Sequence, residues 1–179
     1  LVLHPSTPAA NMQAFVAYAK ANPGRLNYGS GGNGSAANLA TEYLKVRTGV
    51  SLVHIPYRGT APAVTDLVAG QTQVLFTGVP AVISQLRNGQ LKAVAVSSQK
   101  RVEALPDVPT IKEALGMADF EADQWYGVVA PTGTPPEIVA RLNQAINAAL
   151  TAPELKKRLN AEGAVANPTT PEAFGKYIA

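Results

Sequence analysis

A glycine-rich stretch with hydroxyl side chains is the part of this chain best suited to chemistry. It runs from Leu26 to Leu39 as LNYGSGGNGSAANL, an apolar strand pattern followed by a turn and a helix pattern. Glycines let a backbone pass close to a ligand, and the free N–H groups of a helix start carry the positive end of the helix dipole. No charged residue lies between Leu26 and Thr41. The stretch therefore predicts an anion site of neutral donors, which favours reversible capture of a small carboxylate or phosphate over its chemical transformation.

Two features of this loop carry the prediction. We expect bonds to the ligand from backbone N–H groups and from the hydroxyls of Ser30 and Ser35. We also expect Gly31 or Gly34 to have a backbone conformation that other residues avoid, or to lie close to the ligand. Replacing such a glycine would then disturb binding more than folding.

The same residues fit a second kind of site. Gly29 to Gly34 match the dinucleotide fingerprint G-x-G-x-x-G between a strand and a helix. An acidic residue should end the following strand to bind a ribose, but Tyr57 and Arg58 stand there, which favours a phosphorylated ribose. An NADP-dependent enzyme is therefore the alternative. A P-loop is disfavoured because Ser35 occupies the position of its lysine.

Residues for catalysis or metal binding are scarce. The chain has no cysteine and two histidines, and it contains no G-x-S-x-G nucleophile motif. Its acidic residues lack the paired spacing of acid–base catalysts. His54 lies in a strand pattern without a partnered nucleophile, and we expect it to face outward or to meet a backbone group. The sequence predicts no catalytic residue, no metal site and no cofactor.

The composition indicates a folded chain with a small-molecule ligand. Hydrophobic residues make up 46% and charged residues 15% of the chain, which suffices for a buried core. The net charge of +3 comes from scattered lysines and arginines without a basic stripe, so no nucleic-acid partner is expected. No apolar run approaches membrane-spanning length, and the first residues carry no targeting pattern.

Strand and helix patterns alternate from Leu26 to Ser97, which predicts an α/β fold with a parallel sheet between helices on both faces. The predicted strands are 26–29, 52–57, 73–76 and 92–96, and the predicted helices are 8–21, 35–47, 61–69 and 79–87. Leu1 to Leu3 also have a strand pattern. Open α/β sheets bind ligands at the carboxyl ends of their strands, so the candidate site comprises the loops 29–35, 57–62 and 77–80.

The pattern changes after Ser97 and indicates a second unit beyond a boundary near 120–125. A short helix is predicted over 110–115, before that boundary. We expect an apolar strand over 125–130, with Trp125 and Tyr126 in the core. Helices are predicted over 136–150, 153–160 and 171–179. Their apolar faces have only one strand to pack on, so the second unit is expected to be incomplete.

A series of short motifs runs through the whole chain. They are LNYGS at 26–30, GS at 34–35, HIPYRG at 54–59, PA at 62–63, DL at 66–67, AVAVS at 93–97, KR at 100–101, LPDVPT at 105–110, WYG at 125–127 and AP at 130–131. Together they resemble the Bug-type extracytoplasmic solute-binding proteins of tripartite tricarboxylate transporters. The series is much more specific than the glycine fingerprint alone.

The resemblance implies a periplasmic binding protein of type II, with two α/β lobes that close over a small carboxylate-bearing organic acid. Such a protein delivers its solute to the membrane components of the transporter. The resemblance also implies that residues 4–123 form the second lobe with the ligand loop, and that 124–179 are a crossover strand and the C-terminal part of the first lobe. The signal peptide and most of the first lobe are then expected outside this chain. A regulator's effector-sensing domain with a similar fold is a further alternative.

Site residues also follow from the resemblance, position by position. The family's carboxylate loop and its neighbours match Ser30, Gly31, Gly32, Asn33, Gly34, Ser35, Asn38, Tyr57, Thr77, Gly78 and Val79. Many members have histidine where Asn38 stands. Some amine-binding members have an aspartate in the region of Thr77, and its absence here favours a plain dicarboxylate or an aromatic acid.

Overall fold

The computed structural model describes residues 1–178, so the last residue of the helix predicted over 171–179 lies outside the described part. The chain divides into two compact units, Leu1–Gln124 and Trp125–Ala179. Their assignment to the two lobes of a binding protein stays a prediction.

Within the described residues, a five-stranded mixed sheet forms the centre of the first unit. Its strands are β1 (Val2–Leu3), β2 (Asn27–Ser30), β3 (Val53–Pro56), β4 (Val74–Leu75) and β5 (Lys92–Ala93), in the order β3-β2-β4-β1-β5. β2 pairs in parallel with β3 and β4, and Tyr28 lies opposite His54 and Val74. The predicted α/β fold is confirmed, and the parallel strands are those that precede the candidate loops.

The parallel strands predicted between Leu26 and Ser97 are joined in the sheet by one antiparallel strand, β1. This strand lies between β4 and β5 and runs antiparallel to both. A hydrophobic pattern identifies a strand, but the direction of pairing depends on which neighbours the strand meets in the fold. The strand predicted over 92–96 is also shorter than expected, and Val96 instead forms a parallel bridge to Thr110.

Helices of the first unit begin and end at local capping signals. They are α1 (Met12–Ala21), α2 (Ala36–Thr48), α3 (Thr60–Val68), α4 (Ile83–Arg87) after a 3-10 turn (Val79–Ala81), and α5 (Ile111–Leu115). α1 begins at Met12 and not at Pro8, because the Asn11 side chain accepts the N–H of Ala14 and caps the helix there. The helix predicted over 79–87 is divided because its first turn is a 3-10 turn.

Both faces of the sheet are covered by helices, as predicted. One core cluster includes Leu3, Phe15, Tyr28, Leu44, Val74 and Ile111. The other includes Val2, Ala63, Leu67, Leu75 and Val82. Neighbouring residues of β1, and likewise of β4, fall into different clusters because successive strand side chains point to opposite faces. β2 and its loop are therefore held by packing from two sides.

In the second unit, all regular secondary structure among the described residues, 125–178, is helical. They are α6 (Pro136–Thr151), α7 (Pro153–Ala161) and α8 (Pro171–Ile178), close to the predicted ranges. The strand predicted over 125–130 is wrong, because this segment pairs with no strand in the described chain. Trp125 and Tyr126 are 49% and 84% exposed and are not in a core. An apolar segment forms a strand only where a neighbouring strand offers its backbone groups.

None of the described residues of α6, α7 and α8 is fully buried. Across residues 1–178, we find no helix that combines the length and the apolar character needed to span a membrane.

Candidate functional site

Three loops follow adjacent parallel strands of the first unit. Because β3, β2 and β4 are neighbours and run the same way, their carboxyl ends lie at one edge of the sheet. A Cβ built on Gly31 would lie 3.5 Å from the backbone carbon of Gly59. A Cβ built on Gly32 would lie 3.3 Å from the carbonyl oxygen of Tyr57. The structure thus brings the loop after β2 and the loop after β3 into contact.

The glycine loop between β2 and α2 has a backbone that few residues can adopt. Gly32 and Gly34 have φ angles of +115° and +74°. The expected left-handed conformation is therefore confirmed for Gly34. Gly31 does not have a positive φ, and a Cβ at this position would make only ordinary van der Waals contact with Gly59, so its close approach to a ligand stays a prediction. Gly32 is the most constrained, because it combines an unusual φ with the nearby Tyr57 carbonyl.

The backbone N–H groups of this loop divide into used and unused donors. Those of Gly32, Gly34, Ser35 and Asn38 donate to Ser30 Oγ, Asn38 Oδ1, the Gly32 carbonyl and Ser35 Oγ, at 3.1, 3.0, 3.2 and 3.3 Å. Unused among the described residues are the N–H groups of Gly31, Asn33, Ala36 and Ala37. The last two belong to the first turn of α2, where a helix leaves its N–H groups unpaired. The loop thus has four neutral donors for an anion.

The two serine hydroxyls have different surroundings. Ser30 is completely buried, and its Oγ lies 2.6 Å from His54 Nε2 and 3.1 Å from the Gly32 carbonyl oxygen. Its single proton is therefore shared between protein acceptors, and a direct bond from Ser30 to a ligand stays a prediction. Ser35 is the N-cap of α2, and its Oγ accepts the N–H of Asn38. The Ser35 proton has no acceptor among the described residues and can be donated to a ligand.

A series of hydrogen-bonded polar side chains links the glycine loop to α2 and β2. Asn38 Nδ2 donates to the Tyr28 hydroxyl at 2.8 Å, and that hydroxyl donates to Glu42 Oε1 at 2.6 Å. Lys45 Nζ donates to the same carboxylate oxygen at 2.8 Å. Burial and the Glu42 carboxylate raise the pKa of Tyr28. Burial opposes ionisation of Glu42, but hydrogen bonds from Lys45 and Tyr28 outweigh it and lower its pKa.

His54 takes part in this support, and the expectation that it faces outward or meets a backbone group is wrong. Its ring is half-buried, stacks on the Tyr28 ring with centroids 4.7 Å apart, and contacts the Ser30 hydroxyl. Sequence reasoning missed the roles of Tyr28 and Glu42. The spacing of Asn38 and Glu42 could have indicated that both side chains take part in one network, because residues four apart share a helix face.

Tyr57 lies half-buried at the end of β3 and is bonded within the protein. Its hydroxyl donates to Asp66 Oδ2 at 2.8 Å. Burial, followed by the Asp66 carboxylate, raises the pKa of Tyr57 to about 12. Its hydroxyl proton is therefore committed to Asp66, and a role for Tyr57 toward a ligand stays a prediction.

The third loop contains Thr77, Gly78 and Val79, all half-buried after β4. Gly78 packs against Gln124, whose Oε1 would lie 3.3 Å from a Cβ at this position. The loop is thus supported by the end of the first unit. Its contact with a ligand stays a prediction.

A groove of about 300 Å³ lies beside the first turns of α2. It is lined by Ala36, Leu39, Ala40, Tyr43, Glu121, Ala122 and Asp123. Burial raises the pKa of Asp123, whose Oδ1 accepts a bond from the Ser97 hydroxyl at 3.3 Å. Carboxylates on one wall repel an anion, so the groove suits the apolar body of a ligand better than its carboxylate.

The arrangement of donors in the glycine loop supports binding of an anion. No cluster of potential metal ligands occurs in the described part of the chain, residues 1–178. The loop supplies neutral donors, a rigid turn and a helix start, which together stabilise a negative charge.

The chain is similar in structure to the periplasmic binding protein BugD, with a TM-score of 0.91 and 35% identity, covering 99% of this chain and 60% of BugD. The chain superposes on a Rhodopseudomonas palustris protein solved with adipate, with a TM-score of 0.94 and 33% identity, covering 99% of this chain and 59% of that one. Superposition on MatC from Rhodopseudomonas palustris with bound malate gives a TM-score of 0.85 and 32% identity, covering 96% of this chain and 57% of MatC.

Residues 1–177 match the family described as tripartite tricarboxylate transporter family receptor, and the chain belongs to this family. Protein BugT of Bordetella pertussis (strain Tohama I) is 38% identical over 179 residues, which are 100% of this chain and 55% of BugT. The chain therefore spans about half the length of such relatives. The match confirms the Bug-type resemblance. The family is one of solute receptors and not of enzymes, which agrees with the interpretation of the loop as a binding element.

Proposed function

We propose that this protein is a periplasmic solute-binding protein that captures a small carboxylate-bearing organic acid and delivers it to the membrane components of a tripartite tricarboxylate transporter. Membership of the receptor family supports this role. In this proposal residues 4–123 act as the second lobe with the ligand loop, and residues 124–179 belong to the first lobe.

The observation that carries the proposal is the set of unused donors in the glycine loop. Gly31, Asn33, Ala36 and Ala37 offer backbone N–H groups, and Ser35 offers a hydroxyl proton. A carboxylate accepts at about four lone-pair positions and forms charge-assisted bonds worth roughly 1.5–3 kcal/mol each. Neutral donors hold the charge without a buried ion pair, which favours binding that is specific and reversible.

The ligand class follows from charge and from the relatives. Relatives have been solved with adipate and with malate, both dicarboxylates. Thr77 gives the third loop no negative charge, so an ammonium group finds no partner there. We therefore propose a dicarboxylate, with an aromatic carboxylate as the second choice.

Calorimetric titration tests this proposal with adipate, malate, benzoate, ethanolamine and NADPH as separate probes. We expect saturable binding of at least one carboxylate and no binding of ethanolamine or NADPH. Binding of NADPH without binding of any carboxylate would overturn the proposal in favour of a dinucleotide site on residues 29–34.

A further inference from the structure

Two chains of hydrogen bonds run from the glycine loop into the first unit and meet at a stacked aromatic pair. The pair is Tyr28 and His54, whose rings lie 4.7 Å apart with an interplanar angle of 16°. One chain reaches the Gly34 N–H through Asn38. The other reaches the Gly32 N–H through the Ser30 hydroxyl. The pair therefore supports two separate points of the same loop.

The first chain has a fixed direction. Glu42 is a carboxylate with a lowered pKa and can only accept, so the proton of the Tyr28 hydroxyl goes to Glu42. Tyr28 has no second proton, so its oxygen accepts from Asn38 Nδ2. The amide oxygen of Asn38 then faces the Gly34 N–H at 3.0 Å. An acceptor oxygen on α2 thus sets the orientation of an amide that holds the loop.

The second chain fixes the neighbouring part of the loop. The Ser30 hydroxyl is completely buried and accepts the Gly32 N–H at 3.1 Å, while His54 Nε2 lies 2.6 Å from the same oxygen. Stacking of His54 on Tyr28 couples this contact to the first chain.

Together, the two chains of hydrogen bonds determine which N–H groups of the loop stay available to a ligand. They occupy the N–H groups of Gly32 and Gly34 and leave those of Gly31 and Asn33 without a protein partner. We propose that Tyr28, assisted by Glu42 and His54, is a positioning residue that holds the alternate N–H groups of the loop free for the carboxylate of the ligand. This inference rests on the proposed function, since it assigns the groups that prepare the same site.

The test combines two readouts on the purified protein. Amide proton exchange of Gly32 and Gly34 is measured by NMR without ligand, and adipate and malate affinities are measured by calorimetry. Tyr28→Phe removes the hydroxyl and keeps the stacking ring. We expect it to accelerate exchange at Gly34 more than at Gly32 and to weaken binding by about tenfold. Tyr18→Phe in α1 is the matched control, because its hydroxyl belongs to neither chain, and it should change neither readout.

Two substitutions of Glu42 separate positioning from a merely structural role. Glu42→Gln keeps an oxygen that accepts the Tyr28 proton, so exchange at Gly34 and affinity should stay within about threefold of the unaltered protein. Glu42→Ala removes the acceptor and should behave like Tyr28→Phe. Equal effects of the two Glu42 variants would overturn the inference.

Further outcomes distinguish this inference from the proposed function. Unchanged affinity in Tyr28→Phe, with or without faster exchange at Gly34, would overturn the positioning role alone. Failure of the unaltered protein to bind either acid would overturn the proposed function and the positioning role with it.

Discussion

Alanine substitutions at three glycines separate the cost of backbone strain from the loss of ligand binding. Gly34 in the loop and Gly89 after α4 have φ angles of +74° and +70°, and a Cβ at either would meet no atom within 4 Å. Left-handed conformation costs a non-glycine residue roughly 1–2 kcal/mol. Both Gly34→Ala and Gly89→Ala should therefore lower the melting temperature by similar amounts, about 2–8 °C for a chain of this size.

Only the loop variants should affect binding. Relaxation of the strained loop in Gly34→Ala displaces the N–H that Asn38 accepts and moves the neighbouring free donors. Losing one charge-assisted bond of roughly 1.5–3 kcal/mol weakens affinity by about tenfold to a hundredfold. Gly32→Ala should be more severe, because its φ is +115° and its Cβ would lie 3.3 Å from the Tyr57 carbonyl oxygen.

Calorimetry with adipate or malate and thermal unfolding of the same samples provide the two measurements. Gly89→Ala is the control for strain and should bind like the unaltered protein. The reasoning is refuted if Gly32→Ala and Gly34→Ala bind like Gly89→Ala, because the loop would then be only a connector.

Three further predictions concern caps, pH and burial. Ser35→Ala and Asn11→Ala each remove an N-cap worth about 1 kcal/mol, but only the Ser35 variant should also lose about tenfold in carboxylate affinity by calorimetry; equal affinities would contradict the donor role. The pKa of Tyr57 is raised to about 12 in the folded protein, so the stabilising contribution of its hydroxyl is complete below a pH of about 10 and is lost as the pH rises toward 12. In urea unfolding, the free energy of unfolding of Tyr57→Phe should therefore fall less between these pH values than that of the unaltered protein. Leu44→Ala should lower the free energy of unfolding by about 2–5 kcal/mol because Leu44 is fully buried. Leu142 is 49% exposed, and Leu142→Ala should lower the free energy of unfolding by about 1 kcal/mol. Equal losses in the two variants would show that Leu142 is buried in solution.

The sequence predicted the elements of the first unit because their signals are local. Glycines follow the helices, apolar residues recur at helical spacing, and the loop is enclosed between a strand and a helix cap. The antiparallel direction of β1 could not be predicted, because strand direction depends on partners far away in the sequence. The absence of a strand over 125–130 in the described chain has the same cause, since an apolar run does not reveal whether a partner strand exists.

The sequence predicted the glycine loop as a candidate site but not the contacts that support this loop. The glycines and Ser35 are recognisable from the strand-turn-helix pattern. The chain from Asn38 through Tyr28 to Glu42 joins a helix to the preceding strand, and the contact between His54 and Ser30 depends on the register of β2 with β3. Such contacts follow from tertiary packing and register, which short sequence patterns do not determine.

The central claim is that a carboxylate binds to the neutral donors of the glycine loop. It is tested most directly by following backbone amide signals in the ¹H–¹⁵N NMR spectrum during titration with adipate and, separately, malate. We predict that one of these acids shifts the amide signals of Gly31, Asn33, Ala36 and Ala37 more than any others in the first unit. Saturable binding that leaves these four signals unchanged and shifts signals elsewhere would contradict the claim.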